Sequence, residues 1–233
     1  MSVEIIAEIG QNHNGDMSLA KELIAKAKES GADVAKFQLF DAQKLFTRDN
    51  NPWYDYNLKT EISRKQVDEL YKICSDLDIE FMATPFDVER VDWLESLNVK
   101  RYKIASRSIH DRRLIDKILM TGKPVIVSLG MWNNTELPEI KGASVDFLYC
   151  ISEYPTQLEK LNFSAVDFKK YSGFSDHTMG IIAALTAVAR GARIIEKHFT
   201  LDKTMHGPDH MGSMDVDDLN QLVRRCQQVS RCL

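Results

Sequence analysis

Several things that would have assigned this 233-residue chain quickly are missing from it. There is no long apolar run: the longest, over 180–189, falls well short of the roughly 20 residues a membrane helix needs. The first residues, Met1-Ser2-Val3-Glu4, carry no basic region leading into an apolar one, so no secretory leader is expected. The four cysteines (Cys74, Cys150, Cys226 and Cys232) show no paired metal-finger spacing and suit reduced thiols, which places the protein in the cytoplasm as an expectation. A basic excess is also lacking. The net charge of −4 offers no case for nucleic acid or an anionic membrane surface, although a local basic pocket for a small anion is compatible with it. No G-x-G-x-x-G run follows the first strand, which argues against a dinucleotide-binding fold. No low-complexity stretch or linker divides the chain, so 1–233 is expected to be one domain.

What the chain does have is alternation. Short β-type runs at 3–9, 34–40, 79–84, 101–105, 124–128, 147–150, 172–175 and 193–198 are separated by helical patterns. The spacing predicts helices over 17–30, with Asp16 as cap, over 88–97, 112–119 and 180–190, and from Asp215 onward. Ser63 and Gln66 predict a capping box ahead of a helix bearing Val67, Leu70, Tyr71 and Cys74. Eight βα units in sequence predict an α/β fold, a single (β/α)8 TIM barrel, rather than an open sheet. The one long connection, 41–62, carries Trp53, Tyr54 and Tyr56, and is either a lid or an insertion packing its own aromatics.

In such a barrel the site forms where strands run out into the βα loops. There the sequence places Glu8, Lys36 and Gln38, Thr84, Lys103 and Ser106, Ser128, Ser152 and Tyr154, Ser175 and His177, and Glu196 and His198. Lys36 and Gln38 are two apart and share one strand face. Buried charge is costly unless paired, so a rim rich in lysine and hydroxyl groups implies a bound anion; the alternative is that Glu196 pairs with a lysine and both brace the barrel. Neighbouring strands lie about 4.8 Å apart, so His177 and His198 could ligate one ion. Open coordination positions would then remain, and imidazole suits Mn²⁺, Zn²⁺ or Fe²⁺ better than Ca²⁺.

The runs Ala7-Glu8-Ile9-Gly10-Gln11-Asn12-His13-Asn14-Gly15, Ala35-Lys36-Phe37-Gln38, Ala83-Thr84-Pro85-Phe86-Asp87 and Lys103-Ile104-Ala105-Ser106 resemble the N-acetylneuraminate (sialic acid) synthase family. So do Phe174-Ser175-Asp176-His177-Thr178, Glu196-Lys197-His198-Phe199-Thr200 and Gly207-Pro208-Asp209-His210. The resemblance implies a (β/α)8 transferase of carbohydrate biosynthesis that condenses phosphoenolpyruvate with an amino-sugar aldehyde, often N-acetylmannosamine, to a nonulosonic acid and phosphate. It implies that His177 and His198 hold a divalent metal, typically Mn²⁺. It implies also that Lys36, Thr84, Lys103, Ser106, Ser128 and Ser175 surround phosphoenolpyruvate, and that Glu8, Gln38, Tyr154 and Asp209 face the sugar or the reacting centre.

The chain departs from the family pattern at Ser108, where an acidic residue is usual, with Arg107 before it, and at Ser152, where the family has asparagine. Full-length relatives carry a C-terminal antifreeze-like domain that completes the sugar pocket across a dimer, whereas this sequence ends soon after its eighth unit. The expectation is an acceptor other than N-acetylmannosamine, with 41–62 as a partial cover, and a homo-oligomer or a separate partner in place of that domain. Two other readings compete: a class I aldolase or lyase forming a Schiff base at Lys103 or Lys36, and a catalytically degenerate barrel that binds sugar acids or a partner protein.

Overall fold

A computed structural model describes residues 3–232. Its strands are β1 (Glu4–Gly10), β2 (Val34–Leu39), β3 (Glu80–Pro85), β4 (Tyr102–Ile104), β5 (Val125–Ser128), β6 (Val145–Cys150), β7 (Gly173–Asp176) and β8 (Ile194–His198). They form one parallel sheet in the order β3-β2-β1-β8-β7-β6-β5-β4, and β3 and β4 at its two ends lie side by side. The result is the predicted (β/α)8 barrel.

The helices are α1 (Met17–Glu29), α2 (Ala42–Leu45), α3 (Tyr54–Thr60), α4 (Arg64–Asp76), α5 (Val88–Ser96), α6 (Arg112–Leu119), α7 (Ile182–Ala189) and α8 (Val216–Ser230). Local chemistry starts them where expected. Asp16 accepts from the Ser18 N–H at 2.8 Å, and α1 buries Ala20, Leu23, Ile24 and Ala27 against the strands. The Ser63 N–H donates to Gln66 Oε1 at 2.8 Å ahead of α4. Asp215 caps α8 through the Asp218 N–H at 2.9 Å.

The expected count of eight βα units needs correction. Among the described residues no α-helix follows β5 or β6: 129–144 is irregular, and 151–172 has only the 3-10 turns Leu158–Lys160 and Phe163–Ala165. Gly130, Pro138 and Gly142 interrupt the first stretch, and Pro155 the second, so neither sustains a 3.6-residue apolar period. Leu161, Val166 and Phe168 cover the outer face of the barrel there as an irregular coat. Nor is 41–62 structureless, since it contains α2 and α3. Among the described residues no helix is long and apolar enough to cross a membrane.

Strand alternation divides the barrel interior into layers. Ile6, Val34, Met82, Ile126, Leu148 and Ile194 pack together as an apolar plug. Two residues further along the same strands come Glu8, Lys36, Thr84, Ser128, Cys150 and Glu196, at the C-terminal mouth. Two residues earlier on β1 and β3 come Glu4 and Glu80, which meet Arg101 at the opposite mouth. The plug separates two polar clusters.

Candidate active site

The C-terminal mouth opens into a cavity of about 600 Å³. Every site residue singled out from the sequence lines it: Glu8, Lys36, Gln38, Thr84, Lys103, Ser106, Ser128, Tyr154, Ser175, His177, His198 and Asp209. Ser152 lines it too, whereas Ser108 is buried within the 3-10 turn after β4. Their common placement follows from register. Glu8 pairs with Lys36 on one side and His198 on the other, Gln38 with Thr84, and Ser175 with Glu196.

On the cavity floor Lys36 and Lys103 are each only 2% exposed, so their charges need partners. Lys36 Nζ lies 2.6 Å from Glu8 Oε2 and 3.5 Å from Glu196 Oε2, and donates to Thr84 Oγ1 at 3.2 Å. Lys103 Nζ lies 3.6 Å from Glu196 Oε1 and donates to Ser128 Oγ at 2.8 Å. Ser175 Oγ donates to Glu196 Oε1 at 3.0 Å, and Gln38 Nε2 to Glu8 Oε1 at 2.9 Å. Glu196 therefore pairs with both lysines, more than the bracing alternative required.

Burial works against every charge on this floor. At Lys103 it wins, holding the ammonium below the ordinary lysine range despite Glu196. At Lys36 burial is outweighed by Glu196 and Glu8, and the group is raised. Glu196 resists burial because Lys103 and Lys36 flank it, and it stays below the usual carboxylate range. The floor is thus a charged network in which only Lys103 is pushed toward losing its proton.

On the rim the His177 and His198 ring centroids lie 6.1 Å apart with an interplanar angle of 41°. The Tyr154 ring stands 4.0 Å from His177. His177 Nδ1 lies 2.8 Å from the Ile151 carbonyl oxygen, so this nitrogen carries the proton and Nε2 presents a lone pair. Burial, with His198 beside it, pulls the His177 pKa down to about 3, keeping the ring neutral. With metal–nitrogen bonds of roughly 2.1 Å, two imidazoles can meet one ion when their centroids are up to roughly 6.5 Å apart. The spacing lies inside that limit, at a nitrogen–metal–nitrogen angle of roughly 140°, wider than the tetrahedral angle. Among the described residues no group of three or more His, Cys, Asp or Glu side chains converges as a ligand set, so any such ion would rely on these two rings plus non-protein ligands.

Gly10 makes this arrangement possible. The β1–β2 register shifts between Glu8 and Gly10, and Gly10 adopts φ +54°. A Cβ there would lie 3.2 Å from Gln38 Nε2 and 3.3 Å from both Glu8 Oε1 and His198 Cε1. The 41–62 segment reaches the same rim through Leu45 and Phe46, which line the cavity. It is pinned there: Tyr56 Oη donates to the Gln11 carbonyl at 2.9 Å, and Gln11 Nε2 donates to Thr60 Oγ1 at 2.6 Å.

Some lining residues gave no signal as site residues in the sequence. Cys150 lies with its sulfur 3.5 Å from Ser106 Oγ, and the Lys197–Asp176 pair, 3.1 Å apart and fully buried, joins the ends of β8 and β7. Period-two spacing from Leu148 would have found Cys150. Arg107 belongs to a 3-10 turn, where no period exists to mark its direction.

Known proteins share both sequence and fold. Residues 23–233 match the model of the NeuB family. An N,N'-diacetyllegionaminic acid synthase from Campylobacter jejuni is 39% identical over 98% of this chain and 77% of its own length. The human N-acetylneuraminate-9-phosphate synthase is 34% identical over 98% of this chain and 70% of its own. A crystal structure of N-acetylneuraminic acid (sialic acid) synthetase from Leptospira borgpetersenii, in complex with citrate, matches with a TM-score of 0.91 at 33% identity, covering 100% of this chain and 85% of that one. Sequence and fold agree, and the chain belongs to the NeuB family of synthases.

Proposed function

We propose that the protein condenses phosphoenolpyruvate with an amino-sugar or related sugar aldehyde, giving a sialic-acid-like nonulosonic acid and phosphate. The observation that carries this is the cavity floor. Two buried lysines converge with hydroxyls from four separate strand ends (Thr84, Ser106, Ser128 and Ser175), a donor set suited to a small polyanion. Phosphate and carboxylate oxygens take up Lys36 and Lys103 in place of part of their pairing with Glu8 and Glu196. The synthase relatives support the same reading.

The reaction joins C3 of phosphoenolpyruvate to the aldehyde carbon, adds water at C2 and breaks the C2–O bond to release phosphate. Lys36, Lys103 and the hydroxyls hold the enol ester and stabilise charge as phosphate departs. Glu8, oriented by Lys36 and Gln38, accepts the proton of the adding water. Gln38, Tyr154 and Asp209 face the sugar, and 41–62 acts as a cover over the mouth. His177 and His198 would hold a divalent cation, most suitably Mn²⁺, which when bound supplies Lewis-acid polarisation of the aldehyde oxygen.

The test is phosphate release from phosphoenolpyruvate with a panel of aldoses and Mn²⁺, with and without chelator. Release that requires both an aldose and the metal is expected; none with any aldose would overturn the reading. His177→Ala and His198→Ala should each lose bound metal by elemental analysis while circular dichroism stays native. One observation favours a second reading. Lys103 sits below the ordinary lysine range, the condition a Schiff-base lysine requires. Borohydride trapping with pyruvate should leave Lys103 unmodified if the synthase reading holds.

A further inference from the structure

Four cationic lysine and arginine side chains line the cavity, and three of them already have carboxylates. Lys36 lies against Glu8 and Glu196, Lys103 against Glu196, and Lys197 against Asp176. Arg107 is the fourth. Among the described residues it has no carboxylate within 4.0 Å, and no protein acceptor takes its N–H donors. Lys36 and Lys103 are sealed into the floor, whereas Arg107 is exposed at the mouth.

Its position is nonetheless held. The guanidinium carbon lies 5.3 Å from the centroid of the Phe46 ring and 5.9 Å from that of Phe86, and both rings line the cavity. Aromatic faces restrict the plane of a guanidinium and leave its edge free to donate. An arginine that served only to shield the two rings would gain by turning that edge to a carboxylate, and none has been placed there. Arg107 follows β4, which lies four strands from β8 in either direction around the barrel. It therefore occupies the wall opposite His198.

We propose that Arg107 selects an acceptor bearing a second anionic group, a phosphate or carboxylate at the end of the sugar remote from its aldehyde. The proposal rests on the synthase reading for the aldehyde end, which lies at His177 and His198 with the sugar extending across the mouth. A guanidinium edge donates two parallel hydrogen bonds to either anion, whereas the free phosphoenolpyruvate site is already furnished by the floor.

The test compares N-acetylmannosamine, its 6-phosphate and the corresponding 6-carboxylate as acceptors for phosphate release, in wild type and in Arg107→Met. Wild type should prefer at least one charged acceptor over the neutral sugar by tenfold or more in kcat/KM. In Arg107→Met that ratio should fall toward one, with Arg107→Lys intermediate. Which charged sugar is preferred separates phosphate from carboxylate. Calorimetry with the same three sugars reads Arg107 without turnover, so failure of the synthase reading (no phosphate released) remains distinct from failure of this one. Equal wild-type affinity for charged and neutral sugars would overturn the proposal. So would an Arg107→Met variant that loses affinity for phosphoenolpyruvate instead of for the charged sugar.

Discussion

The barrel has a polar cluster at each mouth, built from nearly the same materials and arranged differently. At the N-terminal mouth Arg101 bridges Glu80, at 2.8 Å, and Glu4. At the C-terminal mouth Lys36 and Lys103 bridge Glu8 and Glu196. The lower cluster uses one planar guanidinium that meets both carboxylates. The upper uses ammonium groups, point charges that hold partners loosely, beneath about 600 Å³ of open space and beside hydroxyls. A brace and a candidate site thus differ less in charge than in the choice of cation and in the hydroxyls set beside it.

The largest expected effect breaks the upper cluster. Lys103→Met removes a charge-assisted contact to phosphoenolpyruvate worth about 2–3 kcal/mol, so its Kd should rise by about 30- to 160-fold. Glu196 keeps Lys36, so the fold should survive; a change below threefold in calorimetry would place Lys103 with the braces. Acid sharpens the contrast next, because all six histidines lie at the C-terminal mouth or in its loops. Burial holds His13 down to about 4. Its folded pKa lies below the unfolded value, so its contribution is complete above about pH 6.5 and is lost as pH falls toward 4. Stability should drop by about 2 kcal/mol at pH 5 and about 3 kcal/mol by pH 4. Urea titrations of wild type and His13→Gln should converge as the pH is lowered. The smallest effect breaks the lower cluster. Arg101→Met strands Glu4 and Glu80 in a partly exposed setting and should cost about 2 kcal/mol by urea titration, a fully buried pair costing more. Phosphoenolpyruvate affinity of the folded fraction should match wild type, and a large loss would show that the plug transmits strain between the mouths.

Much of this was legible in the sequence because a barrel strand writes its inward face every second residue. Ile6 then Glu8, Val34 then Lys36, and Ile194 then Glu196 each spell plug and then site. Helix ends were equally readable, since Asp16 and Asp215 announce themselves by type and spacing. The crossovers after β5 and β6 were not, because their apolar residues, Leu161 and Phe168 among them, bury without any period. Nor could spacing show that Glu196 reaches both lysines, a fact of barrel curvature. In the sequence Arg107 stands out only as the neighbour of Ser108. That no carboxylate among the described residues meets it shows only in three dimensions.

The apolar plug makes the cavity a cul-de-sac. Ile6, Val34, Met82, Ile126, Leu148 and Ile194 block any route through the barrel axis, so whatever enters must also leave by the Phe46 and Tyr154 side. Under the proposed reading, phosphoenolpyruvate would occupy the floor, the sugar aldehyde would stack above it, and the severed phosphate would lie beneath the product. Such a one-ended cavity would load the small anion first and unload the long chain first, a queue set by the six side chains of the plug.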